Sequence, residues 1–322
     1  MSDYKKVASG LLVSLLGLSL MAQVQAAGKK GRTPRVAAKQ VQQSQSDVVV
    51  PEASAEEGQV QQVPAQVKQQ VPGYYRTMVG QFEVTALFDG SFDFNPDLLR
   101  NMDPAQINQI LAHHYGKNFR IQSPINAYLV HTGDHLVLID AGAGKLFGGD
   151  QGHIMDNLKA AGYQPEQVDT IILTHLHGDH TGGLSADGKK VFPNATVYVN
   201  QMDHQYWLSE QTAAKAPLER QIFFKMAQQS TRPYVDGEHW KPIEAGAEIV
   251  PGIKAVAAYG HTPGHSALEI ESNGSKLLVW GDIVHSHAIQ FAHPEVSIEY
   301  DSDTILGLFP DIKEVIFEPT LT

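Results

Sequence analysis

Three histidines and one aspartate fall within seven residues of this chain, in the segment His175-Leu176-His177-Gly178-Asp179-His180-Thr181. Imidazole nitrogens and carboxylate oxygens are ligands that divalent zinc, manganese, cobalt and iron accept. A lone histidine is more often structural, but four ligand-type residues at this density favour a metal site over a solvated, histidine-rich loop. The segment therefore predicts a metal centre.

Three further segments carry ligand-type residues. These are Ile139-Asp140-Ala141-Gly142, Gly260-His261-Thr262-Pro263-Gly264-His265 and Trp280-Gly281-Asp282. Each is a weak signal alone: an Asp before Ala-Gly usually marks a turn, and His261 by itself would more often be structural. All of them follow predicted strands, as the first cluster does, so coincidence becomes a poor explanation for the set.

The elements that must position these residues alternate between strands and helices. Residues 168–174 are apolar and β-branched, which indicates a buried strand before the first cluster. Further strands are predicted at 82–88, 125–130, 135–139, 196–199, 253–258, 267–271 and 276–280, and helices at 104–115, 154–161, 202–209 and 214–229. The mixture favours an α/β class, with two sheets or one large mixed sheet covered by helices.

Composition narrows the classes of function. The 322 residues are 42% hydrophobic and 18% charged, which suits a globular protein with a real core. The formal net charge of −11 disfavours a nucleic-acid partner. The chain has no Cys, which excludes disulfides, thiolate zinc sites and a Cys nucleophile.

The first 72 residues are not expected to belong to the folded domain. Lys5 and Lys6, an apolar stretch at 11–21 and small residues before position 27 predict a signal peptide over 1–27. Residues 28–72 are rich in Gln, Val and Pro and contain no aromatic residue, which predicts a disordered linker. The domain is expected over 73–322, periplasmic or secreted, with no membrane span after cleavage; an uncleaved anchor is the alternative.

The ordered set His175-x-His177-x-Asp179-His180, His261 and Asp282 resembles the ligand pattern of the metallo-β-lactamase superfamily, over about residues 73–322. The resemblance implies an αββα sandwich with two divalent metal ions, zinc first and manganese, cobalt or iron as alternatives. It assigns His175, His177 and His261 to the first metal, Asp179 and His180 to the second, and Asp282 to both. Asp140 and His265 would orient the ligands without binding metal.

Within this superfamily, the chain resembles the methyl parathion hydrolase-like and lactonase branch. Phe147, Trp207 and Phe224 stand where that branch carries pocket aromatics, although ordinary core residues are the alternative. The resemblance implies hydrolysis of hydrophobic lactones, esters or organophosphate triesters by a metal-bound hydroxide, with catalysis centred on Asp179 and Asp282. His285 would contact the substrate or protonate a leaving group, with a surface histidine equally open.

One expected ligand has no counterpart in the sequence. The branch carries a further His about 45 residues beyond the bridging Asp, which would fall past Thr322. The resemblance therefore implies an incomplete C-terminal end, a second metal site one ligand short, and impaired activity.

Other functions stay open at this level. They are a β-lactamase, an iron-dependent oxidoreductase of the same fold, and a low-activity relic that binds one metal through His175, His177 and His261. The expected partner is a small hydrophobic ester or lactone, and a homodimer is an open alternative.

Overall fold

A computed structural model of the chain describes residues 64–115 and 120–302. The predicted signal peptide, the predicted linker up to residue 63 and the tail from 303 lie outside the described residues. Residues 64–73 contain neither helix nor strand. No helix in the described ranges is long and apolar enough to cross a membrane.

The described residues form strands and helices in an alternating order. The strands are β1 (Tyr74–Val79), β2 (Phe82–Phe94), β3 (Leu99–Arg100), β4 (Ile121–His131), β5 (Leu136–Ile139), β6 (Thr170–Ile172), β7 (Ser185–Ala186), β8 (Lys189–Lys190), β9 (Thr196–Asn200), β10 (Trp240–Ile243), β11 (Glu248–Val250), β12 (Ile253–Ala257), β13 (Ser266–Ser272), β14 (Ser275–Val279) and β15 (Ser297–Ile298). The α-helices are α1 (Pro104–Tyr115), α2 (Ile154–Ala160), α3 (Gly178–Thr181), α4 (Gln201–Trp207), α5 (Glu210–Lys215), α6 (Gln221–Val235) and α7 (His287–Gln290).

Two sheets carry most of the strands. The larger has the order β1-β2-β4-β5-β6-β9-β10, and the smaller is the antiparallel run β11-β12-β13-β14. Strands β1 to β5 of the larger sheet pair antiparallel, whereas β5, β6, β9 and β10 pair parallel. The carboxyl ends of β5 and β6 therefore meet at one edge of the sheet.

Two apolar layers hold the sandwich together. Val137, Ile139 and Ile172 of the larger sheet pack with Ile253 and Leu268 of the smaller sheet, so the two sheets face each other. The opposite face of the larger sheet packs against the helices; its cluster contains Leu138, Ile171, Val197, Leu158 of α2 and Phe224 of α6. Strands β5 and β6 are buried on both faces, which explains their uninterrupted apolar sequence.

A smaller apolar cluster lies beside the two main layers. Leu111 of α1 and Ile289 of α7 belong to it, together with Leu99 of β3 and Ile298 of β15. Strands β3 and β15 pair antiparallel, Ile298 opposite Leu99. We call this group of α1, α7, β3 and β15 the side cluster.

The predicted helix over 214–229 is wrong, because the chain forms two helices there, α5 and α6. Ala216 is extended, with ψ 150°, and Pro217 follows it. A residue before proline is disfavoured in the helical region, so the helix ends there. The strand predicted over 168–174 is also shorter, since β6 spans Thr170–Ile172. Most other predicted elements agree with the structure to within a few residues.

Candidate metal centre

Loops at one edge of the sandwich bring the predicted ligands together. Asp140 follows β5, the first cluster follows β6 and continues into α3, and the other two segments follow β12 and β14. The ring of His175 lies at the middle of the group, with centroids 4.1 Å from His180, 4.7 Å from His177 and 4.8 Å from His261. Three groups of side chains have ligand atoms close enough to hold an ion: His175-His177-His261, His175-His180-Asp282 and His261-Asp282-His285.

The three imidazoles predicted for the first cation present one nitrogen each to a common point. His175 Nε2 lies 3.0 Å from His177 Nδ1, which lies 2.9 Å from His261 Nε2. Zinc with Zn–N bonds of about 2.0–2.1 Å in a tetrahedron separates its nitrogens by roughly 3.3 Å. A shift of a few tenths of an ångström would admit the ion, so these residues fit a divalent cation.

Burial keeps these three imidazoles neutral. It lowers the pKa of His177 to about 4 and holds the pKa values of His175 and His261 well below the usual range. Neutral imidazoles offer the lone pair that a metal requires, so near pH 7 no proton competes for it.

Asp282 links the three imidazoles of the first group to a second group, which contains His180 and Asp179. Its Oδ2 lies 3.6 Å from His261 Nε2, while its Oδ1 lies 3.1 Å from His180 Nε2. Asp179 Oδ2 lies 3.5 Å from the same His180 nitrogen. The Asp282 carboxylate thus faces both imidazole groups, one oxygen toward each.

The second group carries opposite charges that stabilise each other. Burial alone would lower the pKa of His180, but the carboxylates of Asp282, Asp179 and Asp140 raise it well above its usual value. Burial alone would raise the pKa of Asp282, but His180 beside it holds it well below its usual value. A cation at this position would replace the His180 proton as the positive charge.

Asp140 lies behind the ligands. Its carboxylate accepts hydrogen bonds from Thr174 N at 2.8 Å, from Thr174 Oγ1 at 2.9 Å and from His180 Nδ1 at 2.9 Å. Because the Thr174 hydroxyl donates to Asp140, it accepts from His175 Nδ1 at 3.0 Å, which leaves His175 Nε2 for the metal. Asp140 belongs to none of the candidate ion-binding groups in the described residues.

His265 has both ring nitrogens occupied. Its Nδ1 donates to Ala258 O at 3.0 Å, and its Nε2 accepts from Asp282 N at 3.0 Å. The ring therefore supports the backbone of Asp282 and has no lone pair for an ion. Gly281 makes this approach possible: it has φ +61°, and a Cβ there would lie 2.5 Å from His265 Nε2.

Sequence reasoning missed Asp203, a carboxylate at the start of α4. It is buried and accepts hydrogen bonds from Leu176 N (3.1 Å), Thr262 Oγ1 (2.9 Å) and Gly264 N (2.6 Å). It therefore joins the loop of His175 and His177 to the loop of His261. Burial raises its pKa to about 7. In the sequence, Asp203 lies in the first turn of a helix that Asn200 caps, outside every ligand pattern, so nothing in the sequence marked it.

The three predicted pocket aromatics occupy different positions. Trp207 is 5% exposed, and its ring lies 5.0 Å from that of His177. Phe224 is 1% exposed and packs behind Trp207 at 4.7 Å, so it supports that ring rather than lining an open surface beside the ligands. Phe147 is exposed and lies against α3, since a Cβ on Gly178 would be 3.2 Å from its Cζ.

His285 lies inside the cluster, and the alternative of a surface histidine is wrong. Its side chain is 10% exposed, and its Nε2 lies 3.4 Å from Asp282 Oδ2. Its ring centroid is 4.9 Å from that of His261. Burial alone would lower its pKa, but the hydrogen bond to Asp282 and the negative charge of that carboxylate raise it.

Two facing sheets with imidazoles and carboxylates gathered at their edge define an α/β sandwich that carries a candidate metal centre. The chain belongs to the metallo-beta-lactamase superfamily, whose family model matches residues 120–317, more than half of the chain. The resemblance predicted from the ligand pattern and the sandwich fold are thereby confirmed.

Three individual proteins show which members of the superfamily this chain is similar to. The N-acyl homoserine lactonase AiiA of Bacillus thuringiensis subsp. kurstaki is 28% identical over 237 residues, covering 67% of this chain and 84% of that protein. The hydrolase AbOPH of the beta-lactamase superfamily is 43% identical with a TM-score of 0.71, over 74% of this chain and 84% of that one. AidC, a dizinc quorum-quenching lactonase, is 26% identical with a TM-score of 0.68, over 73% and 83%. The chain is thus a metal-dependent hydrolase similar to lactonases.

Proposed function

We propose that this chain hydrolyses hydrophobic lactones and, by the same chemistry, related esters and organophosphate triesters. The observation that carries the proposal is the position of Asp282 between two metal-binding groups, with one carboxylate oxygen toward each. The lactonases AiiA and AidC among its relatives favour lactones as the first substrate class.

Each ligand has a place in this proposal. When bound, two divalent cations supply the Lewis acidity that lowers the pKa of a bound water and polarises the substrate oxygen. The residues that would hold the first are His175, His177, His261 and Asp282, and those for the second are Asp179, His180 and Asp282. Asp140 and His265 keep the ligand loops in place through the hydrogen bonds described above.

The surroundings of the centre suit an apolar substrate. Trp207 is buried beside His177, and the exposed ring of Phe147 beside α3 offers apolar surface close to the ligand loop. His285, held next to Asp282, is placed to give a proton to the alkoxide oxygen that leaves when the lactone C–O bond breaks.

Zinc is our proposed resident metal, supported by the dizinc centre of AidC, although nitrogen and oxygen ligands also accept manganese, cobalt or iron. We also propose that the second cation binds more weakly than the first. In the described ranges, the group with ligand atoms close enough to hold the second cation is His175, His180 and Asp282, with Asp179 Oδ2 3.5 Å from His180 Nε2, and His175 is shared with the first group. Activity would then be limited by occupancy of the second site.

For the segments before the domain we propose export. The order of basic, apolar and small residues over 1–27 supports a signal peptide, and the composition of 28–72 supports a linker. The protein would then act in the periplasm or outside the cell.

Turnover assays with chelation test the activity. Purified protein would be assayed with an N-acyl homoserine lactone, a p-nitrophenyl ester and an aryl phosphotriester, before and after chelator treatment and with zinc, manganese or cobalt added back. We expect chelation to abolish lactone turnover and added metal to restore it. His177→Ala should be inactive, and His114→Ala, an exposed histidine on α1, should retain full activity. Full turnover after exhaustive metal removal would refute the proposal.

The complete first group favours a second candidate function. A protein that binds one cation through His175, His177 and His261, with water in the fourth position, would need no ligand from the second group. Metal analysis separates the two: one metal per chain without turnover supports the single-cation protein, and two metals with turnover support the hydrolase.

A further inference from the structure

A buried carboxylate from the last described residues contacts the first-metal group. Asp301 Oδ1 accepts a hydrogen bond from His261 Nδ1 at 2.8 Å, and the two side chains are 8% and 3% exposed. Its other oxygen, Oδ2, accepts from Ile298 N at 3.0 Å. Because Asp301 and His261 lie far apart in the chain, only the fold brings them together.

The same segment also holds the backbone of His261. Ser302 N donates to His261 O at 3.0 Å. Residues 301 and 302 therefore restrain both the ring and the main chain of one ligand.

The side cluster determines where this segment lies. Strand β15 pairs with β3, Glu299 N donates to Leu98 O at 2.9 Å, and Asp301 N donates to Ile298 O at 3.0 Å. Ile298 is fully buried in the same apolar cluster as Leu111 of α1. Asp301 is thus presented to His261 by elements that contribute no ligand of their own to the first group.

This contact selects the nitrogen that His261 can offer. A carboxylate only accepts, so the proton of the neutral imidazole lies on Nδ1, and the Nε2 lone pair points toward His177 Nδ1, 2.9 Å away. Carboxylates placed behind metal-binding histidines fix the ring orientation and raise its basicity, and their loss weakens metal binding by about 10- to 100-fold.

We propose that Asp301 is the positioning residue for the first cation, and that the side cluster exists in part to present it to His261. The inference rests on the metal centre of the proposed function, but it concerns metal affinity and holds whether or not a lactone is hydrolysed.

Zinc affinity of three variants tests the inference. Competition with a chromophoric chelator would give the affinity of the first site in Asp301→Ala, Asp301→Asn and Glu299→Gln, and the visible spectrum of bound Co²⁺ would report its geometry. Glu299 is the matched control, because it is exposed, lies on the same segment and pairs with Arg100 rather than with a ligand.

We expect Asp301→Ala to weaken zinc binding by about 10- to 100-fold and to change the Co²⁺ spectrum. Asp301→Asn keeps an acceptor oxygen and should lose less, and Glu299→Gln should match the parent. Parent-like zinc affinity in Asp301→Ala would overturn the inference, as would an equal loss in Glu299→Gln, which would assign the effect to packing of the segment. If Asp301→Ala does not fold, parent-like affinity in Asp301→Asn overturns it. Failure of lactone turnover with these zinc results intact would refute the proposed function alone.

Discussion

The hydrogen-bond partners of His175 and His261 decide which nitrogen each imidazole presents to the centre. Thr174 and Asp301 occupy Nδ1 of His175 and His261, so both offer Nε2. His265 has both nitrogens occupied and drops out of the ligand set. At the scale of single residues, the hydrogen-bond partner behind the ring therefore says more about whether a histidine can bind metal than the residue type does.

Asp203 gives a prediction at the residue scale. Its pKa is raised from 3.8 to about 7 by burial, so between about pH 4 and 7 the folded state holds this proton more tightly than the unfolded state. Its contribution to the free energy of unfolding therefore falls as pH rises through that window and is constant above about pH 7.

In Asp203→Asn this contribution is absent. Urea unfolding of metal-free protein from pH 5 to 8 should show the variant gaining stability relative to the parent up to about pH 7, with no further change above it. A stability difference that is the same at every pH would contradict the prediction.

The ligand loops begin at strand ends. They are held in place where glycine backbone lies directly against a neighbouring residue. The turn after β14 brings Asp282 N onto His265 through Gly281, which has φ +61°. The loop between β12 and β13 is held in the same way, because a Cβ on Gly264 would lie 2.5 Å from Asp203 N. The elements thus position the ligands through contacts that leave no room for side chains.

At the element scale, Gly281→Ala tests whether the close contact between the turn after β14 and His265 positions Asp282. The matched control is Gly188→Ala, since Gly188 has a similar positive φ, +72°, but a Cβ there would have no neighbouring atom within 4 Å. Gly188→Ala should cost about 1–2 kcal/mol, the backbone term alone. Gly281→Ala should cost more in chemical denaturation and should also reduce metal content, because Asp282 must move. Equal losses of stability with unchanged metal content would show that the contact with His265 is unimportant.

At the scale of the whole molecule, the centre joins the two sheets. His175 and His177 follow a strand of the larger sheet, whereas His261 and Asp282 lie in loops of the smaller one. A cation shared by these loops connects both halves of the sandwich, in addition to the apolar layer between them.

Metal should therefore stabilise the entire domain. A ligand that binds only the folded state at 100 times its Kd adds about 2.7 kcal/mol to the free energy of unfolding. We expect thermal unfolding to shift upward with added zinc and downward with chelator, in one cooperative transition, and His177→Ala to lose most of the shift. A zinc-independent melting temperature in the parent would be inconsistent with this expectation.

The sequence by itself determined the ligand types, their spacing and the strand ends that carry them, because these depend on short stretches of chain. It also allowed the superfamily and the sandwich fold to be predicted. Only the tertiary structure decided that Asp203 and Asp301 stand behind the ligands, that His285 lies inside the cluster and that Phe224 lies behind Trp207. Most of those contacts join residues far apart in the chain, as His285 contacts His261, and no local periodicity or spacing encodes which loops will pack against each other.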